Sequence, residues 1–210
     1  PTRRSSDLGL TLLHADPTVL SLRAQAAILT MTIEVRGLLT VRTHLPDALA
    51  ERPHSRTFVE FKYKDRAAAP EVKERTEVLM EAVPQHGFQY VLMTEDDIYE
   101  PKEKLENARF ILRHGGRQVL STLERERIRR VFVSRPEIQW GEVLRGSLGP
   151  KGPYQVCRLI LDGFLDFDRM APLSSRTSIR WGGGPVPPPP PPLPPTPRHP
   201  RLCRDWSSDV

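Results

Sequence analysis

Apolar and polar residues alternate with a period of two through the first third of the chain. In "TVLSLRAQ" (18–25), Val19, Ser21 and Arg23 stand against Leu20, Leu22 and Ala24, the pattern of a half-buried strand. "AILTMTIEV" and "GLLTVRTHL" are rich in β-branched residues and flank Arg36-Gly37, which predicts a hairpin. The second run leads straight into Pro46-Asp47. After a loop containing Pro53, "TFVEFKYK" (57–64) predicts another strand. Residues two apart share a face of a strand, so Glu60 and Lys62 are expected to point one way and Val59, Phe61 and Tyr63 the other, into the core. Ahead of all these, "LGLTLLHADP" (8–17) reads as the end of a helix that stops before Pro17.

The period then changes. Val72, Thr76, Leu79 and Val83 recur at helical spacing, with Pro70 opening the helix and Pro84 and Gly87 closing it. "FQYVLM" (88–93) has the length of a short buried strand, and Thr94-Glu95 reads as a helix cap or turn. A second helix covers "KEKLENARFILRHGG" (102–116), with Leu105, Ala108 and Leu112 on one face and Gly115 beyond its end. Strands, helix, strand, helix predict an α/β core. Beyond Gly116 three short amphipathic segments follow, carrying Val119, Leu123, Ile128 and Val131, then "WGEVLRGSLG", then Val156, Leu159, Ile160 and Phe164. "LDFDRMAPLSSRTSIRW" (165–181) can form a β-ribbon. Periodicity leaves two readings open here: a small helix-turn-helix or winged-helix-like module, or a helical appendage with no partner.

Composition refines the boundaries. "GGGPVPPPPPPLPPTPRHP" (182–200) holds 11 of the 22 prolines and predicts an extended or disordered tail, a linker rather than a proline-recognition site. "TRRSSDL" and "RDWSSDV" at the two ends share Ser-Ser-Asp, and each resembles translated sequencing-adapter sequence. The expected organisation is therefore an artefactual 1–8, a core domain over 9–116, a small module over 117–181, a Pro-rich tail over 182–203 and an artefactual 204–210. The formal charge of +5 falls to +3 once residues 1–8 and 198–210, with their five Arg and three Asp, are set aside. That is compatible with nucleic acid without arguing for it. No apolar run approaches the roughly 18 residues of a membrane span, and Cys157 and Cys203 supply neither a disulfide framework nor a metal motif. A reducing, cytoplasmic setting is expected.

The candidate chemistry lies in "HLPDALAERPHSRTFVEFKYK" (44–64). If the strand-like runs around Asp47 and Glu60 pair, the two carboxylates can approach one another across the pair. Such hard oxygen donors suit Mg²⁺ (or Mn²⁺), and Lys62 could orient a water and stabilise charge on a phosphoryl group. The same residues also fit an edge hairpin with a solvated charged face. His44 reads as a structural or surface histidine, Gln25 as a support for the core or site, and Lys64 and Arg66 as either phosphate contacts or a solvated edge.

Context favours the first reading. "LLHADPTVLSLRAQ", "HLPDALA", "VEFK", "YVLMTEDDI" and "LENARFILRH" together resemble the TnsA family, endonuclease subunits of heteromeric bacterial transposases within the PD-(D/E)xK nuclease superfamily. The resemblance covers roughly residues 8–116, and "WGEVLRGSLGPKGPYQVCRLILDGFLDFD" also looks like a small C-terminal domain of such proteins. It implies a restriction-endonuclease-like mixed sheet flanked by helices, and metal-dependent cleavage of DNA at transposon ends. It also implies a partner transposase subunit and a regulatory AAA+ ATPase. Asp47 and Glu60 fall on metal-ligand positions, the backbone carbonyl of Phe61 on a further ligand, and Lys62 on the catalytic lysine. The family's helical glutamate would fall at about Ser5 or Ser6, with Asp7 the nearest acid, so weak or absent nicking is expected of this chain. The alternatives are another nuclease of the superfamily, for restriction or repair, and a catalytically impaired DNA-binding or assembly adaptor.

Overall fold

A computed structural model of the chain describes residues 2–35 and 38–182. The Arg36-Gly37 turn, nearly all of the Pro-rich tail and the segment 204–210 lie outside the described residues. The fold is mixed α/β. Its main sheet has four strands in the order β1 (Ser21–Ala24), β4 (Ala48–Arg52), β5 (Ser55–Phe61) and β6 (Gln89–Met93). The first three run antiparallel to their neighbours, and β6 is parallel to β5. The parallel pair needs a crossover, supplied by α2 (Lys64–Ala67), α3 (Pro70–Ala82) and a single 3-10 turn at Val83–His86, which Gly87 ends at φ 77°. β2 (Leu29–Val35) and β3 (Leu38–His44) form a separate antiparallel ribbon whose register, Leu29 to His44 through Val35 to Leu38, matches the predicted hairpin.

Both faces of the main sheet are covered. On one face Leu12, Leu13 and Ala15 of α1 (Thr2–Ala15), Ile98 of α4 (Glu95–Tyr99), and Leu105 and Ala108 of α5 (Lys102–Gly115) pack on Ala48, Ala50, Val59 and Phe61. On the other, Leu79 of α3, Val83, and Leu29 and Met31 of the ribbon pack on Leu49, Phe58 and Tyr90. The strand period assigns Glu60 to the second face, beside Phe58 and beneath α3. Gly9 of α1 rests directly on Phe61, where an added Cβ would lie 2.0 Å from the ring. The C-terminal end of α1 meets the β4–β5 hairpin through the Asp16–Arg52 pair, so its N-terminal end points toward the opposite end of β5.

Several expectations change. Residues 48–52 are a buried central strand rather than loop, because Ala48, Leu49 and Ala50 fit between two covered faces despite low strand propensity. That insertion makes β5 interior, so an edge hairpin with a solvated charged face is excluded: Glu60 is 2% exposed. β5 ends at Phe61, and Tyr63 becomes the residue that precedes α2 instead of a core strand position. In α5 the best-buried face is Leu105, Ala108 and Ile111, with Leu112 only partly covered.

The chain from Thr122 runs helix, strand, helix, helix, strand, strand. The elements are α6 (Thr122–Ser134), β7 (Glu137–Gln139), α7 (Trp140–Leu144), α8 (Gly152–Leu161), β8 (Leu165–Asp166) and β9 (Ser178–Trp181), and the strands pair in the order β7-β9-β8. Their core gathers Leu120, Ile128, Phe132, Val143, Val156, Leu159, Ile160 and Ile179. Val119 and Leu123, expected inside, are 71% and 80% exposed. The Ser121–Glu124 capping box starts α6 after Val119 and turns Leu123 outward, leaving Leu120, Ile128 and Phe132 to face inward. None of α8's residues is exposed, since α8 packs along α5 and joins this module to the sheet. Among the described residues no helix is long and apolar enough to cross a membrane.

Candidate active site

Asp47 sits between the fully buried Pro46 and the first residue of β4. Gln25, in the left-handed region at φ 48°, turns the chain out of β1 and donates its N–H to the Asp47 carbonyl at 3.0 Å. The β4–β5 ladder ends at Ala48 opposite Val59, so one further step sets Asp47 opposite Glu60. Asp47 Oδ2 accepts the Phe61 N–H at 2.8 Å, which ties the carboxylate to the end of β5. The β4–β5 register thus gathers Glu60 and Phe61 at the end of β5 with Asp47, one residue before β4, and Lys62, one residue beyond β5.

Glu60 is the centre of a buried charge cluster. Lys62 Nζ lies 2.5 Å from its Oε1, and His44 Nε2 lies 3.3 Å from its Oε2. Arg75 of α3 places Nη2 3.8 Å from Oε1. His44 closes the ribbon at the site, and its Nε2 is also 3.2 Å from the Tyr90 hydroxyl. A carboxylate oxygen needs a donor, so Nε2 carries the proton and shares it between Glu60 and the Tyr90 oxygen. Sequence alone did not single out Arg75 or Tyr90. The available signal is their place: Arg75 immediately precedes the inward-facing Thr76, and Tyr90 lies two positions before Leu92, the partner of Glu60 in the parallel ladder.

The electrostatics differ between the two acids. Burial pushes Glu60 up, but the His44 and Lys62 contacts outweigh it and hold its carboxyl below the ordinary range. Asp47 moves the other way. Burial raises it and the Glu60 charge adds to that, against the Phe61 N–H, Lys62 and His44. Tyr90 is raised well above its ordinary value by burial and by Glu60. Two carboxylates that repel across the β4–β5 register are hard-oxygen donors of the kind that suits Mg²⁺. Among the described residues no group of three or more His, Cys, Asp or Glu side chains is disposed to hold a metal ion. A divalent ion here would have Asp47 and Glu60 as its carboxylate donors, and both Glu60 oxygens now face Lys62 and His44.

The remaining candidates stand outside this cluster. Lys64 donates its backbone N–H to Glu95 at 2.5 Å and pairs its Nζ with Asp96 at 2.6 Å, so its charge is largely answered within the protein. Arg66 is exposed. Thr94 caps α4 in a reciprocal box with Asp97. The Gln25 side chain is exposed, and its contribution is the backbone bond to Asp47. Asp7 is exposed on α1. A cleft of about 1070 Å³ lies elsewhere, between Arg52, His54 and Asp16 at the far end of the sheet and Phe167 and Arg169 of the C-terminal module. Neither Asp47 nor Glu60 lines it. No protein-family model matches the chain, and no curated protein matches it.

Proposed function

We propose that the chain is a metal-dependent DNA endonuclease subunit of the PD-(D/E)xK type that hydrolyses a phosphodiester at transposon ends. The observation that carries this reading is the register-enforced meeting of Asp47, Glu60 and Lys62 at one end of β5. Asp47 and Glu60 would hold Mg²⁺ or Mn²⁺ together with the Phe61 carbonyl. The ion would polarise a phosphate oxygen and lower the pKa of a bound water. Lys62, released from Glu60 toward the substrate, stabilises negative charge gathering on the phosphoryl oxygens. His44 holds Glu60 from behind and fixes its rotamer. The mixed sheet and its helices are consistent with a restriction-endonuclease-like core.

The direction of α1 supports the same reading. Gly9 rests on Phe61, and Ser5 and Ser6 lie one turn earlier on the helix, at the end of β5 where Asp47 sits. A glutamate there would complete the family's carboxylate set. The C-terminal module has the element order of a winged helix, but its third helix, α8, is covered by α5 and is not free to enter a groove. Its proposed role is to dock the partner transposase or the AAA+ ATPase. A catalytically impaired adaptor is the second reading, favoured by the occupation of both Glu60 oxygens by Lys62 and His44. The test is nicking of an end-bearing duplex in Mg²⁺ with the partner transposase present, by the chain and by Ser6→Glu. The nuclease reading expects a gain in Ser6→Glu that Lys62→Ala removes. Equal, metal-independent behaviour of all three would favour the adaptor.

A further inference from the structure

We propose that Arg75 is a second phosphate-holding cation of this site, its guanidinium taking a non-bridging oxygen of the DNA backbone beside Lys62. The proposal rests on the nuclease reading. Arg75 is set by α3, whose Thr76 and Leu79 anchor it to the sheet, so the side chain reaches along the Glu60 face. Its Nη2 is 3.8 Å from Glu60 Oε1, beyond hydrogen-bond reach, and both Nε and Nη2 are buried with no hydrogen-bond partner. Buried charged donors left unsatisfied are costly, and a site that keeps them is built for a further acceptor.

Glu60 does not require that cation. Its oxygens already have Lys62 at 2.5 Å and His44 at 3.3 Å. The acceptor must be anionic and come in where the Arg75 side chain keeps 28% of its exposure; Nε and Nη2 are covered, so the guanidinium turns toward that opening to take the phosphate. The planar fork of a guanidinium matches two phosphate oxygens, whereas lysine offers a point charge. Lys62, with the same 28% exposure, approaches the same Glu60 oxygen, so the two cations border one opening.

The experiment is fluorescence anisotropy of the full chain on a labelled duplex in Ca²⁺, across a salt series, with thermal melts of each variant. Arg75→Gln is expected to bind about tenfold more weakly. Its salt slope should be shallower by roughly 0.9, one phosphate contact. Arg75→Lys should keep the slope and recover part of the affinity. An unchanged slope in Arg75→Gln, with only an earlier melt, would make Arg75 a neutraliser of Glu60 and overturn the proposal. If Lys62→Gln shifts the slope and Arg75→Gln does not, the Arg75 assignment fails and the nuclease reading stands. A wild-type chain that does not bind duplex removes both.

Discussion

Asp47→Asn is expected to make the protein more stable. Asp47 is partly buried, faces Glu60 across the β4–β5 register, and has its carboxyl raised by burial and by that neighbour. Folding therefore disfavours its charged form, and at neutral pH the charge costs stability. Asparagine removes the charge and keeps an oxygen to accept the Phe61 N–H now held at 2.8 Å. Removing such a charge conflict is worth about 0.5–2 kcal/mol. In a chain of this size that is on the order of 2–6 °C in Tm. The pH dependence fixes the cause. An acid with a raised folded pKa favours the folded state fully below its unfolded value and loses that contribution as pH rises through the folded value. The advantage of the variant should thus be present at pH 7 and vanish below about the ordinary aspartate value of 3.8. Urea denaturation of both proteins at pH 7 and at pH 3.5 measures it. A variant less stable than wild type at pH 7, or one whose advantage persists unchanged in acid, would refute the reasoning.

Other perturbations separate packing from chemistry. Gly9→Ala would drive a methyl into the Phe61 ring, which leaves no room for it, and should cost about 1–3 kcal/mol by denaturant melt despite alanine's better helix propensity. Ser121→Ala removes the cap that accepts the Glu124 N–H at 3.2 Å and should cost about 1 kcal/mol, read as an earlier melt. Cys157 is fully buried with its thiol pushed up to about 12, so it should not react with a disulfide reagent until the protein is unfolded. Fast labelling of the native thiol would contradict the packing of α8 on α5.

Patterning carried the ribbon, α3 and α5 because their apolar periods are strong and their ends are punctuated by Pro70, Gly87 and a glycine pair, of which Gly115 closes α5 and Gly116, not Gly115, lies beyond its end. β4 escaped because Ala-Leu-Ala-Glu-Arg lacks β-branched residues, and only burial on two faces makes it a strand. The missing strand hid the most telling feature of the candidate site. Asp47 lies one residue before the strand beside β5, one step beyond the Ala48–Val59 pair, and that geometry requires knowing that residues 48–52 pair. The burial of Glu60 was hidden for the same reason, since a charged residue between Val59 and Phe61 reads as a solvent-facing position until β5 becomes interior. Arg75 and Tyr90 meet His44 and Glu60 only through the crossover that brings β6 beside β5, a long-range contact with no local signature. In the C-terminal module Leu123 lies about 140° around α6 from Ile128, so the face that buries Ile128 and Phe132 turns Leu123 outward.

Asp47 and Glu60 are proposed to form a divalent-cation site. Electron paramagnetic resonance titration of Mn²⁺ against the full chain and against Asp47→Asn tests it without relying on turnover. One bound ion per chain, with affinity at least about tenfold weaker in the variant, is expected. No saturable binding, or equal binding by the two proteins, would contradict it.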